Sequence, residues 1–296
     1  MQTLNIIGCG AVGKTLGRLF QEAQLFEIRD ILTRSPESAR SAAAFIGAGR
    51  PVSGYAEMRP ANLYLIAAAD DAIAGCAAAL AASGLVRPGT IVCHLSGALP
   101  SSVLAPVAEL GGATASVHPV KSFADPLASV ESFAGTWCGI EGERAAVACL
   151  SDAFTAIGGK IFSVDARFKT VYHAGSVLVC NYLTALIEAG VKAYQKGGLP
   201  RQTALQVMEP LVRGTVDNIF RDGTVQALTG PIARGDCAVV SGQLEALDDW
   251  DSEIALVYRA LGRIALDLSS RRGGASAGDL AALREMLEVR EAGARG

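Results

Sequence analysis

Gly8-Cys9-Gly10-Ala11-Val12-Gly13 follows the apolar run at residues 4–7 and opens a helix-like stretch around residues 12–21. Nothing else in the sequence restricts the fold as much. Glycines at the first, third and sixth positions of a strand-to-helix turn are the sequence form of a dinucleotide-binding βαβ unit. Gly8 permits the tight turn, Gly10 lets backbone approach a diphosphate, and Gly13 lets the helix lie close on the strand. The free N–H groups around Ala11 and Val12, at the positive end of the helix dipole, would hold the phosphates.

The alternation continues beyond that turn. Short β-rich runs at residues 28–33, 63–67, 91–95 and 115–117 are separated by helical stretches around residues 36–45, 71–82 and 101–108, with residues 51–52 as a weaker third strand. Such spacing predicts consecutive βαβ units and a parallel sheet. The unbroken run Leu63-Tyr64-Leu65-Ile66-Ala67 predicts that both sheet faces are covered. After His118-Pro119 the pattern changes. Residues 137–140 suggest one more strand, and then residues 144–157, 166–195, 201–220, 239–247 and 252–268 carry helical periodicity, divided by Gly158-Gly159, Gly197-Gly198 and Gly230-Pro231. The tail from Arg271 suggests one amphipathic helix with frayed ends. The 296 residues thus read as α/β with two domains: a doubly wound Rossmann sheet over residues 1–125, then an all-α domain over residues 126–296.

Composition narrows the partners. A chain that is 50% hydrophobic and 19% charged is globular, and a net charge of −3 without long charge runs offers no footprint for nucleic acid, so a small molecule is expected. The first residues read as strand and turn, leaving no room for a signal peptide and suggesting a cytoplasmic protein. The weakly polar residues 174–193 include Asn181, Tyr182, Thr184, Glu188 and Lys192, which lipid would accommodate at high cost, so a buried helix is expected and no membrane partner. The seven cysteines are an odd set without C-x-x-C spacing, which points to neither a disulfide framework nor a metal site. Cys9 and Cys93 read as packing residues.

Cofactor choice should be decided at the end of the second strand, about 20 residues past the glycine loop. There the sequence reads Thr33-Arg34-Ser35. A guanidinium flanked by hydroxyls suits a ribose 2′-phosphate, so NADP(H) is expected, against the alternative of an ordinary solvated arginine. Asp30 is the competing acid, but Ile31-Leu32 continue the strand past it and put it inside. Two more turns should reach the same crevice: Ala67-Ala68-Ala69-Asp70-Asp71, whose Ala68 and Ala69 would let the cofactor lie against backbone, and His94-Leu95-Ser96-Gly97-Ala98. Ser96 is a candidate at the reacting centre and His94 a candidate substrate contact.

All three histidines, His94, His118 and His173, fall where this architecture puts the crevice or its facing helix. Imidazole suits proton exchange near neutrality, although a histidine taken alone is more often structural. On the helix opening Lys169-Thr170-Val171-Tyr172-His173, Lys169 and His173 share a face, and Asn181 lies about 80° around from His173. Lys169 or His173 could protonate a developing alkoxide or amine while Asn181 orients the substrate. The alternative is an interhelical network at a core or dimer seam. In Gly230-Pro231-Ile232-Ala233-Arg234-Gly235-Asp236, Arg234 could clamp an anionic substrate or pair with Asp236 to fix the corner.

These motifs together resemble the Rossmann-like proteins with a DUF2520 C-terminal domain, related to pyrroline-5-carboxylate reductase and to the 6-phosphogluconate and β-hydroxyacid dehydrogenases. The resemblance spans almost the whole chain and rests on Gly8 to Gly13, His94 to Ala98, Val117-His118-Pro119 with Phe123, Lys169 to Ala174 with Asn181, and Leu228 to Asp236. It implies an NADP-binding domain, an all-helical second domain like that of 6-phosphogluconate dehydrogenase, and dimers formed through that domain. In the dehydrogenase relatives a helix lysine and a nearby asparagine serve the substrate carbonyl, and Lys169 and Asn181 are the counterparts here, at a wider spacing with His173 between them.

The expected function is an NADP(H)-dependent oxidoreductase acting on a small carbonyl, imine or hydroxy compound held between the domains. Two alternatives stand beside it: a non-catalytic NADP-binding sensor or interaction protein, since fold does not establish chemistry, and a deazaflavin-dependent NADP reductase.

Overall fold

The computed structural model describes residues 1–288; the last part of the expected C-terminal tail lies outside them. By internal packing the chain forms two compact units, Met1–Tyr182 and Leu183–Gly296.

The first unit is built on one sheet of eight strands: β1 (Gln2–Ile7), β2 (Phe26–Leu32), β3 (Arg50–Val52), β4 (Leu63–Ile66), β5 (Ile91–His94), β6 (Ala113–Pro119), β7 (Trp137–Gly142) and β8 (Lys160–Ser163). Their order is β3-β2-β1-β4-β5-β6-β7-β8. Strands β1 to β6 run parallel, β7 runs antiparallel to β6, and β8 runs parallel to β7. The order reverses between β1 and β4, which is the switch point where open α/β sheets bind ligands.

The apolar runs explain this layering. In β4 all residues are buried, with Leu63 and Leu65 in the core on one face and Tyr64 and Ile66 in the core on the other. Side chains alternate across a strand, so both faces need cover. Helices α1 (Ala11–Glu22) and α2 (Pro36–Ile46) cover one face and α3 (Asp70–Ala82) with the short α4 (Ala105–Ala108) the other. Beyond them come α5 (Pro126–Glu131), then α6 (Arg144–Ala156), whose Leu150 and Phe154 extend the first core, and α7 (Lys169–Val179).

The sequence division near residue 125 and the compact units differ, because β7, α6 and β8 extend the Rossmann sheet and keep residues 126–182 with it. Strand β8 lacks a sequence signal: Lys160 and Ser163 are exposed, and Ile161 and Phe162, on opposite faces, are only partly buried.

The second unit is helical, with most of α8 (Asn181–Lys196), then α9 (Arg201–Ala227), α10 (Pro231–Arg234), α11 (Cys237–Trp250), α12 (Ser252–Arg272) and α13 (Ala277–Met286). Val191, Ala204 and Met208 form one small core, and Ile232, Val240, Leu244, Leu266, Leu283 and Leu287 another.

Two expectations for this region are corrected. The single helix expected over residues 166–195 is divided at Cys180, whose φ of −113° and ψ of −69° depart from helical values, so the angle between His173 and Asn181 expected from an unbroken helix does not apply. Residues 174–193, Val191 excepted, are also not buried by this chain. Leu178, Val179 and Tyr182 are exposed, and in α7 and α8 only Lys169 and Val191 are buried. The run Ala166–Lys196 has the length and apolar content of a membrane span, yet it is broken at Cys180 and Lys169 ties its first helix to the sheet through Glu141.

Candidate active site at the carboxyl edge of the sheet

The glycine loop leaves β1 at the switch point. The N–H of Gly8 donates to the Leu32 carbonyl at 2.7 Å and that of Ala67 to the Ile7 carbonyl at 2.8 Å, tying together the ends of β1, β2 and β4. Gly8 has φ of +75°, and a Cβ there would stand 2.7 Å from the backbone nitrogen of Ala68. At Gly13 a Cβ would come within 2.9 Å of the Ala67 methyl, so the helix lies close on the neighbouring loop. Gly10 differs from both. It caps α1 without a side-chain hydrogen bond, no acid occupies the first turn, and no atom lies within 4 Å of where its Cβ would be. Uncapped N–H groups beside open space fit the diphosphate of a dinucleotide. Burial pushes the Cys9 thiol up to about 12, so it stays protonated and serves packing.

At the end of β2, Asp30 is fully buried and held by Arg50 and Arg59, each at 2.9 Å. Burial pushes its carboxyl up, but the bonds from Arg59 and Arg50 outweigh that and hold it below the usual range. It is a structural acid inside the strand. Thr33, Arg34 and Ser35 follow the strand end: the Thr33 hydroxyl donates to the Ser35 carbonyl at 2.8 Å, and Ser35 caps α2 by accepting from the Ser38 N–H. Arg34 is exposed and makes no ion pair among the described residues, whereas Arg18, Arg29, Arg40, Arg50 and Arg59 around it are all paired. Ala68 and the exposed Ala69 lead into α3, with Asp70 and Asp71 in its first turn rather than capping it.

On the other side of the switch point the polar groups gather at the ends of β5 and β6. Register puts Ser116 opposite His94 on one side and Glu141 on the other. Lys169 is 1% exposed; its Nζ donates to Glu141 at 3.1 Å and to the Ser116 hydroxyl. Glu141 also accepts from the Ser101 N–H at 2.8 Å and hydroxyl at 2.7 Å. Burial lowers the Lys169 pKa and Glu141 only partly restores it. Lys169 is therefore tied into the sheet and not open to a ligand.

His94 is likewise enclosed. It is fully buried, its Nδ1 accepts from the Ser96 N–H at 3.2 Å and its Nε2 faces the Pro100 carbonyl at 3.2 Å. The Ser96 hydroxyl accepts from the N–H groups of Ala98 and Leu99, at 3.1 and 3.0 Å. These residues shape the turn after β5, with no free group on His94 for a substrate.

The turn presents Gly97 to two imidazoles. A Cβ on Gly97 would lie 2.4 Å from Cδ2 of His173 and 2.7 Å from Nε2 of His118. His118 and His173 are half-buried, with ring centroids 5.5 Å apart. On the far side of His118, Nδ1 lies 2.9 Å from the Tyr172 hydroxyl, which rests over Gly139 of β7. Burial, then His173 and Lys169, bring the His118 pKa down to about 4; burial, then Lys169, do the same for His94.

Both rings thus stay neutral where an unfolded chain would begin to take up protons, near 6.5. Below that pH the unfolded state binds more protons, so this contribution to stability is complete above about 6.5 and is lost as pH falls toward about 4. The urea midpoint should fall between pH 7 and pH 5, and His94→Gln should show a smaller fall. Equal falls in both proteins would contradict the assignment to His94.

Asn181 opens α8 and is exposed. Arg234 ends α10 in the second unit, exposed and without an ion pair among the described residues; Asp236 instead caps α11, so the Arg234–Asp236 pairing is not formed. Glu141 and Tyr172 carry much of the site without a role read from sequence. Glu141 is the one acid in the apolar strand β7, and Tyr172 lies three residues from Lys169 on the same helix face, which are the signals that could have found them.

Comparisons with known proteins agree with this architecture. Residues 2–119 match the Rossmann-like domain model and residues 136–265 match the Domain of unknown function (DUF2520) model. The chain thus carries a match to the Rossmann-like domain followed by a match to the DUF2520 domain. No curated protein matches it by sequence. A protein from Thermotoga maritima of solved structure is 23% identical with a TM-score of 0.72, over 92% of this chain and 100% of its own. A candidate NADP oxidoreductase from Bacteroides fragilis is 21% identical with a TM-score of 0.67, over 92% of this chain and 97% of its own. A Plasmodium falciparum pyrroline carboxylate reductase with NADP bound is 14% identical with a TM-score of 0.55, over 97% and 98%. At these identities the likeness establishes a shared fold.

Proposed function

We propose that the protein is an NADP(H)-dependent oxidoreductase that moves hydride to or from a small carbonyl, imine or hydroxy compound. What carries the reading is the sequence of groups along one sheet edge: Arg34 beyond β2, without an ion pair among the described residues, the uncapped first turn of α1 at the switch point, and the His118–His173 pair beyond β5 and β6. A dinucleotide lying across a switch point spans such an edge, with adenosine over one half and the reacting ring over the other. Bound there, NADPH supplies a hydride from its nicotinamide. The N–H groups of Ala11, Val12 and Gly13 hold the diphosphate, Arg34 and the hydroxyls of Thr33 and Ser35 hold the 2′-phosphate, and Ala68 and Ala69 leave room against backbone. His118 and His173 face the substrate. Lys169 acts through Ser116 and Glu141 as a positioning residue. That NADP is bound by a neighbour of the same fold supports the cofactor, and the Bacteroides fragilis protein supports the reaction class.

Arg34→Ala should weaken NADPH binding by about 1.5–3 kcal/mol, the range for hydrogen bonds to charged groups, or roughly 10- to 100-fold, and leave NADH almost unchanged. Fluorescence titration of both nucleotides checks this. Equal affinity for NADPH and NADH in the wild type would defeat the 2′-phosphate assignment. Oxidation of bound NADPH by a panel of small ketones, 2-oxo acids and cyclic imines, followed by absorbance, tests the reaction class.

Homodimers through the helical unit belong to the same proposal. Leu205, Leu211 and Phe220 of α9 and Leu256, Leu261 and Ile264 of α12 are exposed, and apolar surface of this extent on helices is what a partner copy would cover.

A further inference from the structure

This inference rests on the oxidoreductase reading. With Lys169 enclosed, the half-buried polar groups of the cluster are His118, Tyr172 and His173. The His118 ring has two unlike sides. Its Nδ1 meets the Tyr172 hydroxyl at 2.9 Å, while Nε2 lies against Gly97, 2.7 Å from where a Cβ would stand. Tyr172 is held in place by edge-on contacts with His118 and with Phe162, at 5.7 and 6.0 Å between ring centroids.

We infer that Tyr172 and His118 form a proton relay in which the Tyr172 hydroxyl is the proton source and Nε2 of His118 the atom that passes the proton to the substrate heteroatom. A phenol that donates to Nδ1 fixes the tautomer with hydrogen on Nε2, because the bond made by one ring nitrogen sets the state of the other. As hydride adds to a carbonyl carbon, the C=O π pair moves to oxygen, which takes the Nε2 proton. Nδ1 takes the Tyr172 proton in the same event. The Nε2–H and phenol O–H bonds break, the Nδ1–H and substrate O–H bonds form, and the imidazole stays neutral in its other tautomer. The negative charge comes to rest on the Tyr172 oxygen, and the half-buried phenolate regains a proton from water. An imine follows the same course at nitrogen, and oxidation reverses each transfer.

The surroundings disfavour an imidazolium acid; burial, then Cys138, also raise the Tyr172 pKa, so the phenolate the relay leaves is promptly reprotonated by water. His173 and Lys169 on α7 face His118 with positive or potentially positive groups, Asp70 of α3 opposes them more weakly, and burial adds to the first two. A charged ring is disfavoured, while a neutral ring passing a proton through carries no net charge.

The test uses the full chain labelled with 15N in its histidines, as wild type, Tyr172→Phe and His118→Asn, the last to identify the His118 signals. Tyr172→Phe keeps the aromatic ring and its packing. The wild type should show His118 neutral at pH 7 with hydrogen on Nε2, and Tyr172→Phe should lose that single tautomer and give a mixture, with NADPH affinity within twofold of wild type. A wild-type ring with hydrogen on Nδ1, or the same tautomer in both proteins, would overturn the relay. On any panel compound that the wild type turns over, Tyr172→Phe should lose roughly 10²- to 10⁴-fold in kcat, the range for general acid catalysis, with KM unchanged; wild-type kcat in that variant would also overturn it. Failure of the wild type to bind NADPH would instead overturn the oxidoreductase reading, and the tautomer measurement would still decide the Tyr172–His118 arrangement.

Discussion

Lys169→Ala is expected to destabilise the sheet-bearing unit by about 3–5 kcal/mol, the cost of removing one partner of a buried ion pair. The lysine and Glu141 side chains are 1% and 6% exposed, so neither can exchange the other for water. Without the ammonium, the Glu141 carboxylate would keep only its bonds from Ser101, and the Ser116 hydroxyl would lose its donor. Urea unfolding followed by Trp137, which lies on the same strand as Glu141, reads the change in a Trp250→Phe background. The paired replacement Lys169→Met with Glu141→Leu should recover most of the loss, because apolar groups of similar size often match or exceed a buried pair. A single variant within about 0.5 kcal/mol of wild type, the ordinary range for a surface substitution, would show that Lys169 is not held as described.

Gly8→Val should abolish measurable NADPH binding, a loss of roughly 100-fold or more. The backbone at Gly8 is left-handed, a region closed to β-branched residues. The added side chain would also meet backbone atoms of Ala68 and Ala67 at 2.7 to 2.9 Å, and backbone cannot swing aside as a flexible side chain can. Gly10→Ala is the informative contrast. Nothing among the described residues lies within 4 Å of its Cβ position, so the chain should fold normally while the methyl would occupy space proposed for the diphosphate. Circular dichroism and nucleotide titration on both variants separate a distorted loop from an obstructed one. Wild-type affinity in Gly8→Val would contradict the loop assignment.

Much of the sheet was legible because its information is local. The apolar runs that became β1, β2, β4 and β5 are each bounded by turn residues, and their near-continuous character reports cover on both faces. Asp30 was read as internal from the two apolar residues that follow it, and it is internal. What escaped depends on distant partners. β8 has only two partly buried residues and owes its existence to pairing with β7. The break at Cys180 has no proline or glycine to announce it. A helical period shows that α7 has a polar face with Lys169, His173 and Ser176, but not that the lysine is enclosed by an acid from β7 while the imidazole stays half open. Periodicity likewise marks an apolar face on α7 and α8 without saying what covers it, so burial within one chain was expected where exposure is found.

The central claim is that the first turn of α1 and the loops beside it hold a pyridine dinucleotide phosphorylated on its ribose. Calorimetric titration of the full chain with NADPH, NADP+, NADH and NAD+ tests it most directly. Saturable binding at one site per chain, tighter for the phosphorylated pair and absent in Gly8→Val, is the result expected. Heats that show no saturation with any of the four would contradict it.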